Sequence, residues 1–268
     1  MKKRLYLGMI AALCVIAITT VAIQAAKEPA YNWYCPRNKN HKQPIADANM
    51  QFIEELDGYY IDHFHGDQSS EKVVYLTFDA GYENGNIEKI LNIMSEEQVT
   101  GAFFILGNLI KRNPELVKRM IADGHTVGNH TNHHPDMTQK ETFEDFKKEL
   151  TTLEELYFQT TGKELSKYYR PPEGRFNRES LQYAKELGYK TVFWSLAYAD
   201  WDNTRQPSPQ DAMKKIMDNL HNGAVILLHP TSSTNVAIMR DVIRALKKDG
   251  YRFGTLEELT VPRMKDDL

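Results

Sequence analysis

The sequence predicts an α/β fold, a barrel of about seven parallel strands ringed by helices. Three observations predict it. Strand-like and helix-like segments alternate from Glu71 onward, and the helix-like segments close on glycine. Polar residues suited to catalysis stand at or just past the ends of the strand-like runs. A parallel barrel gathers all those ends on one face.

Taken in order, the chain opens on "MKKR" and a long apolar run, the pattern of a signal peptide. The run from Leu5 to Ile23 is also just long enough to cross a bilayer, so residues 1–26 read as a signal peptide or an N-terminal membrane anchor. Either way the remainder is exported. Of the two cysteines, Cys14 lies in the apolar run and Cys35 stands alone after it, which leaves no internal disulfide in the mature part. Cys35 reads as an inert, partly buried thiol. The net charge of −3 and the lack of a basic stripe exclude nucleic acid as a partner.

Residues 27–70 lack sustained periodicity and read as an extension packed on the domain. Within it His63 and His65 alternate across a possible strand, as packing or surface residues rather than ligands. The strand candidates follow as "VVYLTFD", "GAFFIL", "HTVGNH", "KYYRPP", "TVFWSL", "AVILLHP" and "YRFGTL". Between them, "NIEKILNIMSEEQ" sets Ile87, Ile90, Leu91 and Met94 on one helical face. "NPELVKRMIADG" has proline near its start and glycine past its end. "TFEDFKKELTTLEELYFQTTG" is a longer helix, and three more close at Gly188, Gly223 and Gly250.

On this layout Asp79 ends the first strand and His130 the third. Arg170 sits near the end of the fourth, Asp200 and Trp201 follow the fifth, and His229 ends the sixth. His130 and His134 are four apart. On a helical turn both imidazoles would face one way and could grip a divalent cation, with His133 pointing elsewhere. An arginine near Asp79 would hold it ionised, as a general base requires. A histidine at the rim suits an acid.

The set TFDxG, H-T-x-x-H, RPPxG, DW and LLH resembles the polysaccharide deacetylases of carbohydrate esterase family 4, the NodB-homology domain, over residues 71–260. "TFDAGYENG", "GNHTNHHPDM", "FWSLAYADW" and the "NKNHKQP" arm are similar to its PdaA-type subgroup. That subgroup deacetylates N-acetylmuramic acid and is associated with muramic-δ-lactam in spore cortex. The resemblance implies a distorted (β/α) barrel with Asp79 as general base, Arg170 as its tether and His229 as general acid. It implies His130 and His134 as ligands of a divalent metal, zinc foremost, and Trp201 and Leu227 as the lining of the acetyl pocket. The backbone N–H of Glu173 becomes the oxyanion donor. The implied partner is a peptidoglycan glycan strand whose muramic residue has lost its peptide. The chain departs from the family at Ala80, where a second aspartate usually ligates the metal, and at Ala197, often acidic. Two other functions are compatible with the sequence: an N-acetylglucosamine deacetylase acting on peptidoglycan or chitin-like polymers, and a non-catalytic glycan-binding module.

Overall fold

A computed structural model describes residues 28–35 and 40–261. The expected leader or anchor, residues 1–26 with Cys14, lies outside them. Among the described residues no helix is long and apolar enough to cross a membrane.

In chain order the elements begin with β1 (Tyr31–Asn32), α1 (Phe52–Glu55), β2 (Gly58–Tyr59), β3 (Lys72–Ala80) and α2 (Ile87–Glu96). Next come β4 (Ala102–Ile105), α3 (Gly107–Arg112), α4 (Pro114–Ala122), β5 (Thr126–Asn129), α5 (Phe143–Thr161), β6 (Tyr168–Tyr169) and β7 (Arg175–Phe176). The chain continues through α6 (Arg178–Glu186), β8 (Lys190–Val192), β9 (Leu196–Ala197), α7 (Pro209–Asn219) and β10 (Ala224–Leu228). It closes with α8 (Ser233–Lys248), β11 (Tyr251–Phe253) and α9 (Leu256–Leu259).

The main sheet runs β2-β8-β6-β5-β4-β3-β10-β9, with β11 pairing the first residues of β3. Its ladders are all parallel. β2 and β9, at the two ends of this path, do not pair with each other, so the barrel is curled but open. Two expectations change here. The fifth strand breaks after Val192 into β8 and β9. The extension supplies β2 at the sheet edge, whereas His63 and His65 lie beyond it, on no strand.

Both faces of the sheet are buried, as a parallel sheet requires. The period-2 alternation of side chains sorts them. Val74, Leu76, Phe78 and Ala80 of β3, with Phe103, Ile105, Ala224, Ile226 and Leu228, pack outward against α2, α4, α7 and α8. Val73, Tyr75, Ala102, Phe104, Val225 and Leu227 face inward, joined there by Trp33, Ile53 and Tyr60 of the extension. Asp79 follows the inward parity of Val73 and Tyr75, which aims its carboxylate into the curl.

Candidate active site

Register brings the polar residues together. Leu228 of β10 pairs with Phe78 of β3, so His229 and Asp79 each stand one residue further on, at neighbouring strand ends. Asn129 of β5 pairs with Tyr169 of β6, which makes His130 and Arg170 neighbours in the same way. Asp79, His130, His134, Glu173, Trp201, Leu227 and His229 all line one pocket of about 650 Å³. Arg170 lies beneath it, fully buried.

Arg170 organises the floor. Its NH1 donates to Asp79 Oδ1 at 2.9 Å, and its NH2 donates to Thr77 Oγ1 at 2.8 Å and to the Phe193 carbonyl at 3.1 Å. Nε donates to the Val192 carbonyl at 2.9 Å, and the guanidinium lies 4.2 Å over the Phe104 ring. Four fixed donations leave the planar fork no other orientation. Burial alone would raise the pKa of Asp79, but the charge and hydrogen bond of Arg170, with the charge of His229, outweigh it and hold the carboxyl below its usual range. Asp79 is therefore ionised, with one oxygen tied and the other turned toward the pocket.

His229 is held from behind. Its Nδ1–H donates to Asp200 Oδ1 at 2.7 Å, and its backbone N–H donates to Asp200 Oδ2 at 2.8 Å. Asn235 Nδ2 donates to the same Asp200 oxygen at 2.6 Å and to the His229 carbonyl at 2.9 Å. Burial disfavours the imidazolium, yet the hydrogen bond and charge of Asp200 prevail, so the pKa of His229 lies above its ordinary value. Nε2 is left to carry a proton into the pocket. The Trp201 ring stands 6.4 Å from the His229 ring, edge to face and 63% exposed, while Leu227 forms part of the buried wall.

His130 and His134 come together without a helix. Residues 130–134 form a loop in which Thr131 (φ 73°) and His134 (φ 62°) are left-handed. Asn129 Oδ1 accepts the Thr131 N–H at 2.8 Å, and Thr131 Oγ1 accepts the His134 N–H at 2.9 Å. These side-chain bonds stand in for the helical ones. The two rings meet edge to face with centroids 5.0 Å apart, and His133 turns away to Glu149. His130 donates Nδ1–H to the Arg170 carbonyl at 2.8 Å, which leaves its Nε2 lone pair 3.6 Å from Asp79 Oδ2. Burial pushes the His130 pKa down to about 4, so the ring is neutral at physiological pH. A neutral imidazole with its far nitrogen fixed on a carbonyl is the form that binds a metal.

Among the described residues no set of three His, Cys, Asp or Glu side chains is arranged to hold a metal ion. The donors at hand are the two imidazoles, which fit a cation that keeps positions open to water or substrate. The methyl of Ala80, where the resemblance implies a lost ligand, is fully buried in the outward-facing core and does not line the pocket.

The structure adds residues that the sequence reading assigned no role. Asp200 and Asn235 brace His229, and Thr77 braces Arg170. Thr77 carried a signal, since it lies two residues before Asp79 and shares its face. The extension is the larger surprise: Trp33, Tyr34 and Cys35 line the same pocket. Cys35 is partly buried, as expected, and donates to the Ser195 carbonyl.

An α/β half-barrel carrying a braced carboxylate, a braced imidazole and two metal-competent histidines is the equipment of a hydrolase. The sequence profile described as polysaccharide deacetylase matches residues 66–192. The chain belongs to that family, the polysaccharide deacetylases among the family 4 carbohydrate esterases. It is similar to the peptidoglycan-N-acetylmuramic acid deacetylase PdaA of Bacillus subtilis, 40% identical over 237 residues, 88% of each chain. The solved structure of that protein superposes with a TM-score of 0.80 over 86% of this chain and 96% of its own. A peptidoglycan-N-acetylglucosamine deacetylase of Bacillus cereus is 34% identical over 197 residues, 71% of this chain and 89% of its own. The 237-residue match is longer than everything after residue 70, so it takes in part of the extension.

Proposed function

We propose that the chain removes the N-acetyl group of N-acetylmuramic acid in peptidoglycan outside the cytoplasm. The observation that carries this reading is the pairing of two braced groups in one pocket, Asp79 on Arg170 and His229 on Asp200. Binding alone needs neither a base nor an acid, so the pairing speaks against a non-catalytic module. The likeness to PdaA, through the extension, supports the muramic sugar over glucosamine. Muramic-δ-lactam formation in spore cortex extends this reading, as do a leader or anchor at 1–26, an extension at 27–70 and a catalytic domain at 71–260.

In the mechanism, Asp79 takes a proton from water as that water attacks the acetamide carbon. A divalent cation held by His130 and His134, zinc by the resemblance, would polarise the carbonyl and acidify the water. Arg170 keeps Asp79 ionised and aimed. The Glu173 N–H is assigned to the developing oxyanion, at a backbone position held left-handed (φ 57°, ψ 10°) in the pocket wall. His229 Nε2 delivers its proton to the departing amine, and acetate leaves. Leu227 and Trp201 enclose the acetyl methyl.

The test is mass spectrometry of peptide-free muramic oligosaccharides after treatment with the zinc-loaded protein, alongside elemental analysis. The expected result is loss of acetyl groups from muramic residues. The double variant His130→Ala with His134→Ala should lack both activity and bound metal. Deacetylation confined to glucosamine residues would overturn the sugar assignment, and equal metal in parent and variant would overturn the ligand assignment.

A further inference from the structure

Muramic acid is glucosamine with a lactyl ether on C3, the carbon next to the one bearing the reactive acetamide. A deacetylase that tells the two sugars apart must contact that C3 substituent in the pocket where the acetamide reacts. Most of this pocket is built from the strand ends and loops of the barrel. Three consecutive lining residues, Trp33, Tyr34 and Cys35, come instead from the extension.

That segment is firmly seated. β1 pairs with β7 in antiparallel register, Tyr31 with Phe176 and Asn32 with Arg175. The Trp33 backbone N–H donates to the Gly174 carbonyl at 2.8 Å, and its indole N–H donates to the Trp194 carbonyl at 2.8 Å. The indole packs 5.0 Å from both the Tyr60 and Phe193 rings. Contact with the barrel is tight enough that a Cβ on Gly174 would lie 2.6 Å from the Trp194 ring and 3.1 Å from Trp33 Cβ. Cys35 Sγ–H points to the Ser195 carbonyl, and the Tyr34 hydroxyl lies toward the Asp47 carboxylate. The indole N–H and the thiol are thus engaged by protein and the Tyr34 hydroxyl is turned to Asp47, so the segment offers the pocket its apolar faces. Tyr34 is the projecting member, 44% exposed where Trp33 is 4%, and it stacks on Trp33 with centroids 6.4 Å apart.

We infer that the extension, through Tyr34 carried on Trp33, is the specificity-determining wall that receives the lactyl-bearing face of the muramic residue. This rests on the muramic reading of the site. An aromatic face held rigid at low entropic cost suits the lactyl methyl and the sugar ring beside it. It offers nothing comparable to the bare C3 hydroxyl of glucosamine, which would meet an apolar surface.

The experiment measures kcat and KM for acetate release by the zinc-loaded full chain from two substrates, a peptide-free muramic oligosaccharide and an N-acetylglucosamine tetramer. Tyr34→Ala should lower kcat/KM on the muramic substrate about tenfold more than on the glucosamine one, mainly through KM. Tyr34→Phe keeps the ring and should restore the parent ratio, which a role confined to the Tyr34 hydroxyl and Asp47 would not allow. Equal losses on both substrates, or an unchanged ratio in Tyr34→Ala, would overturn the inference. A parent that acts on the glucosamine tetramer alone would refute the muramic reading itself, and that outcome is visible before any variant is compared.

Discussion

His229 can act as an acid only while it keeps its proton, and burial works against that. Asp200 reverses the balance with one hydrogen bond and one charge at 2.7 Å. The sign follows. A base whose pKa is raised stays protonated to higher pH, so the alkaline limb of the rate profile lies above the ordinary histidine value. Asp200→Asn keeps the shape but removes the charge, and the unopposed burial then favours neutral imidazole. The alkaline limb should move down by about one pH unit or more, with the acid limb unmoved. A limb that stays in place in acetate-release profiles would mean Asp200 does not set the protonation of His229. The sequence exposed Asp200 at a strand end but gave no means of pairing it with His229, which lies 29 residues on and joins it only through the β9–β10 ladder.

At the scale of elements, periodicity served the long segments well and the short ones poorly. Helix α2 buries Ile87, Ile90, Leu91 and Met94, the face its sequence predicts. Strands β2, β6 and β9 have two residues each, too few for any period to register. The histidine loop failed for a different reason. Its i, i+4 spacing suits a helix, but Asn129 and Thr131 offer the backbone competing side-chain partners, and two left-handed residues follow. Positive φ at a β-branched threonine is uncommon, so neighbours must hold the loop in place. One is α3, whose first residue approaches so closely that a Cβ on Gly107 would lie 2.0 Å from Asn132 Oδ1 and 3.0 Å from the Asn132 carbonyl. Gly107→Ala should therefore shift the loop between His130 and His134. Expected are a stability loss of about 1–3 kcal/mol and weaker zinc binding, read by thermal melts and by competition with a chelator. Unchanged zinc affinity would show that α3 does not position the loop.

For the whole molecule, one topological fact does most of the functional work. Strands that run parallel end on the same side, so residues spread from Asp79 to His229 reach one pocket. That convergence was legible because each polar residue stood at the end of an apolar run. The contribution of the extension was not legible, since Trp33 and Tyr34 sit in a segment without periodicity and are brought to the pocket by a two-residue antiparallel ladder. On the proposed function, this convergence makes a base and an acid of Asp79 and His229. With the Asp79 pKa lowered and the His229 pKa raised, the parent should show a broad bell in acetate release, its acid limb below the usual carboxylate value. The most direct measurement is the pH–rate profile of Asp79→Asn against the parent on a peptide-free muramic oligosaccharide, with glycan affinity measured in parallel. Expected is a loss of roughly a hundredfold to ten-thousandfold at the optimum with affinity little changed. Acetate release by Asp79→Asn at the parent rate would contradict it.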